Sequence, residues 1–299
     1  MKYKYSTTVK NNDVLRESFN ELTRSTFGFD FSQWHARGHW GECYIPHVLL
    51  DGENVISNVS VNLMQFDMGG VEKNYIQLGT VMTDSAYRNR GLNREIMEHI
   101  LDEYAEKADG IYLFANDEVL SYYPKFGFKP AKEYEYYMQC KEQEKIAPYL
   151  TEKVDMTDEK NCLRLYSVIR DYFISPEIPN RNDAMYMNRN LGLYQFWMAF
   201  GYDEHIFYLP EVDIYVIAET NKNTLLIHQI FGKQQADMIR LSKSFGEHVD
   251  EMVLGFSPVQ KELFLVRERK EDDCTLFILG EDLQCIEREK RMFPVLSHA

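Results

Sequence analysis

Hydrophobic and polar positions along the first half of the chain switch between two periods. Apolar residues recur at helical spacing over Asn12–Arg24, then at strand spacing over His47–Leu50, Val55–Phe66 and Tyr75–Met82. Asp51-Gly52 and Gly69-Gly70 are hairpin signals between those strands. Further on, Ile96, Met97, Ile100, Leu101 and Tyr104 predict a helix over Asn93–Lys107. A strand at Ile111–Ala115, a short helix at Val119–Lys125 and a strand at Glu133–Cys140 come next. The polar run Lys141–Glu144, with Pro148 after it, is the linker candidate.

The second half repeats this order. Strands are predicted at Ile214–Glu219 and Thr224–Phe231, across an Asn221–Asn223 turn, then a helix at Gln235–Phe245 and strands at Glu251–Phe256 and Cys274–Leu279. The pattern is that of a tandem α/β (α+β) chain with units at 1–144 and 145–299. Between the third strand and the next helix the first unit has a long arginine-bearing loop, whereas the second has only Gly232-Lys233-Gln234. The second unit reads as the same scaffold, degenerate, without a phosphate loop.

That loop reverses the local charge. The 299 residues carry a formal net charge of −14, yet Tyr87–Arg94 holds three arginines and no acid. A strand turning through arginines and a glycine into a helix makes an anion site. The first helical amides lack intrahelical acceptors, the dipole is positive there, and Gly91 lets backbone approach a phosphate. A phosphorylated cofactor is the expected ligand. The acidic balance argues against nucleic acid and is compatible with a cationic substrate. Five scattered cysteines without a CxxC pair suggest reduced thiols in a cytoplasmic setting, with neither a disulfide framework nor a metal site. No run approaches the ~18 apolar residues of a membrane span. There is no GxGxxG after a strand, no nucleotide P-loop, no HExxH and no complete nucleophile elbow.

Two motifs stand in order within Val55–Cys140. The first is Arg88-Asn89-Arg90-Gly91-Leu92-Asn93, in the loop itself. The second is Asn116, then Tyr123 seven residues later, in Tyr123-Pro124-Lys125-Phe126-Gly127-Phe128. Together they resemble the GNAT superfamily of acyl-CoA-dependent N-acyltransferases, whose signature is Arg/Gln-x-x-Gly-x-Gly/Ala. Here Asn93 stands in the last position of that signature, as a residue that tolerates positive φ. The resemblance implies two tandem GNAT-like domains, each a mixed, mostly antiparallel twisted sheet flanked by helices. It implies acetyl-CoA as co-substrate, with Met82 and Thr83 pairing with the pantetheine arm. Arg88, Asn89, Arg90, Gly91, Leu92 and Asn93 would hold the pyrophosphate, and Asn116 would contact the cofactor or cap the next helix. Arg94 reads as a solvated helix position. Tyr123 would donate a proton to the departing thiolate, a role that a phenol of pKa ~10 can fill at neutral pH.

The expected reaction is acetyl transfer to a primary amine, with a small cationic acceptor preferred over a peptide amine. The alternative is a non-catalytic acyl-CoA sensor or scaffold. Candidate bases are Glu42, His35, His39, Asp67 and, by distant similarity to enhanced-intracellular-survival-type acetyltransferases, a carboxylate at Ala299 on the apolar tail Met292–Ala299. The aromatic loop Phe27–Glu42 is the expected acceptor pocket, with Trp34, His35 and Glu42 as its substrate-binding candidates. Acyl-chain length, the role of the second domain and self-association into a homo-oligomer are left open.

Overall fold

The computed structural model describes residues 3–140, 146–174 and 181–299, so the Lys141–Glu144 linker lies outside the described residues. The first half runs β1 (Lys4–Ser6), α1 (Asp13–Phe27), α2 (Ser32–Ala36), β2 (Tyr44–Asp51), β3 (Asn54–Asp67), β4 (Glu72–Thr83), α3 (Leu92–Tyr104), β5 (Gly110–Ala115), β6 (Lys129–Pro130) and β7 (Tyr134–Gln139). The second half runs β8 (Glu152–Lys153), α4 (Glu159–Ile174), β9 (Tyr186–Met187), α5 (Leu191–Phe200), β10 (Ile206–Leu209), β11 (Ile214–Asn221), β12 (Thr224–Gly232), α6 (Met238–Lys243), β13 (Glu251–Leu254), β14 (Leu265–Glu268), β15 (Thr275–Leu279) and α7 (Cys285–Arg288).

Local chemistry sets the boundaries. Asn12 caps α1, accepting from the amides of Val14 and Leu15, and Gly28 ends it at φ 80°. In the second half Asp237 caps the amides of Ile239 and Arg240, so α6 starts three residues later than its hydrophobic pattern suggests. Val119–Lys125 forms no continuous helix. It is two short 3₁₀ turns, at Asp117–Val119 and Tyr123–Phe126, the second closed by Gly127 at φ 89°.

Two mixed sheets form, in the orders β1-β2-β3-β4-β5-β15-β6 and β14-β7-β13-β12-β11-β10-β8. The last strands are exchanged. β15, from the second half, lies antiparallel to β5 with Phe277 opposite Leu113, while β7, from the first, lies antiparallel to β13 with Tyr137 opposite Val253. The exchange gives β5, buried on both faces, a second partner whose Leu276, Phe277 and Ile278 are also buried.

The strand period then sorts the core. Ile111, Leu113 and Ala115 of β5 pack with Ile96, Met97 and Ile100 of α3 on one face of the first sheet. Tyr112 and Phe114 point to the other face, where the segment after α7 lies over them. Phe293 stacks on Tyr112 at 3.9 Å and His298 stacks on Phe114 at 3.9 Å. The same segment fills the second sheet's counterpart groove. Beyond the parallel pair Ile227–Leu254, Gly255 donates to the Ile227 carbonyl (2.8 Å) and its own carbonyl accepts from Val295 (2.9 Å).

Candidate active site

β4 and β5 are parallel neighbours only from Tyr75–Gly110 to Leu78–Leu113, although both strands continue. The divergence has a cause in β4. Between Gly79 and Met82 the strand bulges against β3, with Thr80 in the left-handed region at φ 48° and its carbonyl taken by the Asn58 amide at 2.7 Å. A cavity of about 790 Å³ occupies the splay. Met82, Thr83, Arg88, Asn89, Arg90, Gly91, Leu92, Asn93, Asn116 and Tyr123 all line it, as does Ala299.

The turn into α3 is built for close approach. Asn89 (φ 60°) and Gly91 (φ 77°) are its left-handed residues, and Gly91 leaves α3 without a side-chain cap. The amides of the first helical turn therefore face the cavity end with a favourable dipole. Arg90 donates to the Ala86 carbonyl (2.7 Å) and lies over the Tyr87 ring, whose hydroxyl donates to Asp51 (2.8 Å). Arg88 reaches the Thr83 carbonyl, at 3.4 Å. Asn93 does not use positive φ. It sits inside α3 and accepts from the Ser57 hydroxyl of β3 at 2.5 Å, fastening the helix to the sheet. Arg94 is exposed, packs over Phe126 and lines the cavity too.

Asn116 caps nothing. Its amide donates to Asp273, in the loop before β15, so the strand exchange positions this side chain. Tyr123 is buried against Tyr122, Phe128 and Phe277, and burial pushes its hydroxyl up to about 12. It stays protonated across the physiological range. The Tyr122 hydroxyl, at the same cavity, is buried without a hydrogen-bond partner among the described residues.

Ala299 arrives by a chain of contacts. The Phe293 amide donates to the Glu133 carboxylate (2.7 Å), the His298 carbonyl accepts from the Trp197 indole (2.8 Å), and the Ala299 oxygen accepts from Gln77 (3.3 Å). Gly79 permits the approach, since a Cβ there would lie 2.5 Å from that oxygen. Burial, and then the charge of Arg269, push the His298 ring down to about 3, so it is neutral.

A second cavity, of about 330 Å³, meets the first at Thr80 and Ala299. Trp34 lines it. His35 and Glu42 do not: Glu42 is exposed and ion-paired with Lys10, and the His35 ring turns to the edge of Trp40. Asp67 binds the Gly70 amide in its hairpin, and the His39 ring meets Tyr166. The loop's other acid, Asp30, is held by Arg24. Leu193, Phe196, Trp197 and Phe200 of α5 complete the wall, residues that the sequence pattern did not single out. Their only signal is the apolar run of α5, which reads equally well as core.

A splayed parallel strand pair, a glycine turn into a helix and a buried tyrosine define the class: an acyl-CoA-type transferase scaffold. Residues 8–131 match the model of the Acetyltransferase (GNAT) domain. The family match thus lies in the first half of the chain. It is similar in fold to a probable N-acyltransferase from Enterococcus faecalis V583, at 17% identity and TM-score 0.61, covering 96% of this chain and 74% of that one. A GCN5-related N-acetyltransferase from Kribbella flavida aligns at 13% identity and TM-score 0.56, covering 94% and 71%. Eis1 from Mycobacterium abscessus aligns at 12% and 0.55, covering 92% and 72%. No curated protein matches the chain in sequence.

Proposed function

We propose that the protein transfers an acetyl group from acetyl-CoA to a small primary amine, by direct attack in a ternary complex. The observation that carries this reading is the meeting of the two cavities at Ala299, with Tyr123 lining the larger one. The unpaired edge of Gly79–Thr83 suits an extended amide-bearing arm. The α3 N-terminus, with Arg88 and Arg90 beside it, suits a pyrophosphate. Asn116, tied to Asp273, would border the cofactor's path out of the splay.

The acceptor enters as its ammonium form and must lose a proton before attack. The proton would leave at the junction beside Ala299, where the two cavities meet, to a base there or through water. The amine nitrogen then bonds to the acetyl carbon as the carbon–sulfur bond breaks. Once the first proton has passed to solvent, the nitrogen's surplus proton leaves by the same route, and the thiolate takes the Tyr123 hydroxyl proton, which solvent then restores to the phenol. Trp34 would contact the acceptor; His35 and Glu42 have no part in this scheme. The test is thiol release from acetyl-CoA in the presence of a panel of primary amines. Amine-dependent release with formation of the N-acetyl product is expected; tight cofactor binding without it would overturn the proposal.

A further inference from the structure

The smaller cavity is unlike what the chain's acidity suggests. Its inner walls are Phe31, Trp34 and Tyr44 from the first half and Leu193, Phe196 and Trp197 from α5. Phe29 and Phe200, 42% and 41% exposed, stand at its rim. Among the described residues, no Asp, Glu, Lys or Arg lines it.

Most of the polar groups that line it are already engaged; the exception among the described residues is His298, whose Nε2 is buried without a partner. The Trp34 indole donates to the Gly192 carbonyl (2.8 Å) and the Trp197 indole to the His298 carbonyl (2.8 Å). The Tyr44 hydroxyl is bonded to Thr80 and Ser60, both at 2.9 Å, and the Asn190 carbonyl oxygen caps the Leu193 amide. A ligand here meets aromatic faces, with Ala299 at the inner end.

From this we infer that the acceptor is a monoamine with one apolar, preferably aromatic, body; the inference rests on the acetyl-transfer reading above. The amine reaches the junction at Ala299, and the body fills the aromatic cavity, where edge and offset ring contacts are available. A second ammonium, or the hydroxyls of a polyol amine, would find no Asp or Glu there and little besides His298 Nε2 to bond, so most of their hydration would be lost uncompensated. The acids of the Phe27–Glu42 loop do not relieve this, because Asp30 and Glu42 are ion-paired outside the cavity. α5 thereby gives the second half a role: it is half of the acceptor wall.

The experiment compares 2-phenylethylamine with putrescine on the full-length protein. Binding is read by calorimetry on CoA-loaded protein, and turnover by thiol release with acetyl-CoA. Burial of one phenyl body predicts at least ~10-fold tighter binding and higher kcat/KM for phenylethylamine. Phe200→Glu, at an exposed rim position, puts an anion where the second ammonium would lie and should narrow that ratio by ~10-fold. Equal or tighter putrescine binding, or no phenylethylamine binding, overturns the inference. Phenylethylamine binding without thiol release leaves the pocket assignment standing and overturns acetyl transfer instead.

Discussion

Glu133 offers a quantitative check on how the segment after α7 is held on its way to the larger cavity. It lies in the short link between β6 and β7, buried, and its carboxylate accepts the amide of Phe293, where the segment bound for the cavity begins. Burial raises its pKa from 4.5 to about 7, against the opposing pull of Arg269 and of the Phe293 amide. A folded-state pKa above the unfolded one means that the native state holds the extra proton. The stability this confers is fully present below pH 4.5 and is lost as pH rises through about 7. At about 1.4 kcal/mol per pH unit, that interval is worth about 3 kcal/mol. Glu133→Gln keeps an acceptor for Phe293 and cannot ionise, and Arg269 retains Glu271 as a partner. Urea unfolding should therefore find the two proteins similar near pH 4.5 and the variant more stable by about 3 kcal/mol near pH 8. A difference that is constant with pH, or a wild type that gains on the variant toward alkaline pH, would refute a carboxyl held protonated by burial.

Two further predictions concern the reacting centre. Tyr123→Phe should lower kcat by ~10²-fold with little change in the KM for acetyl-CoA; an unchanged kcat would remove Tyr123 as the acid. Gly79→Ala puts a Cβ 2.5 Å from the Ala299 oxygen and 3.0 Å from its carbonyl carbon, so the residue must shift. If the reactants meet at the Ala299 junction, a displacement of ~1 Å there costs on the order of 10²-fold in rate, so kcat should fall with acetyl-CoA affinity nearly intact. Wild-type turnover would exclude Ala299 from catalysis.

What could be read in the sequence was what local chemistry controls. The strand, arginine turn and helix of Tyr75–Tyr104 are contiguous, and all nine cofactor candidates line one cavity. Asn93 lines that cavity without the positive φ expected of it: it sits inside α3 and its side chain binds Ser57, a partner 36 residues away that no local pattern exposes. The strand exchange was hidden because β7 and β15 carry the same alternation whichever sheet receives them. Likewise, the Phe27–Glu42 loop offers aromatics and acids together. Only packing against α5 separates Trp34, in the cavity wall, from Glu42, paired with Lys10 at the surface. The chain's net charge does not carry over to the smaller cavity, which none of the described acids lines.

The central claim is that the arginine turn and α3 hold the pyrophosphate of acetyl-CoA. The most direct measurement is calorimetric titration of acetyl-CoA into the wild type and into the Arg88→Ala/Arg90→Ala double variant. Micromolar binding by the wild type is expected, and at least ~10-fold weaker binding by the variant, whose loss of two guanidiniums removes charge-assisted bonds. Equal affinity in the two proteins, or no binding by the wild type, would contradict it.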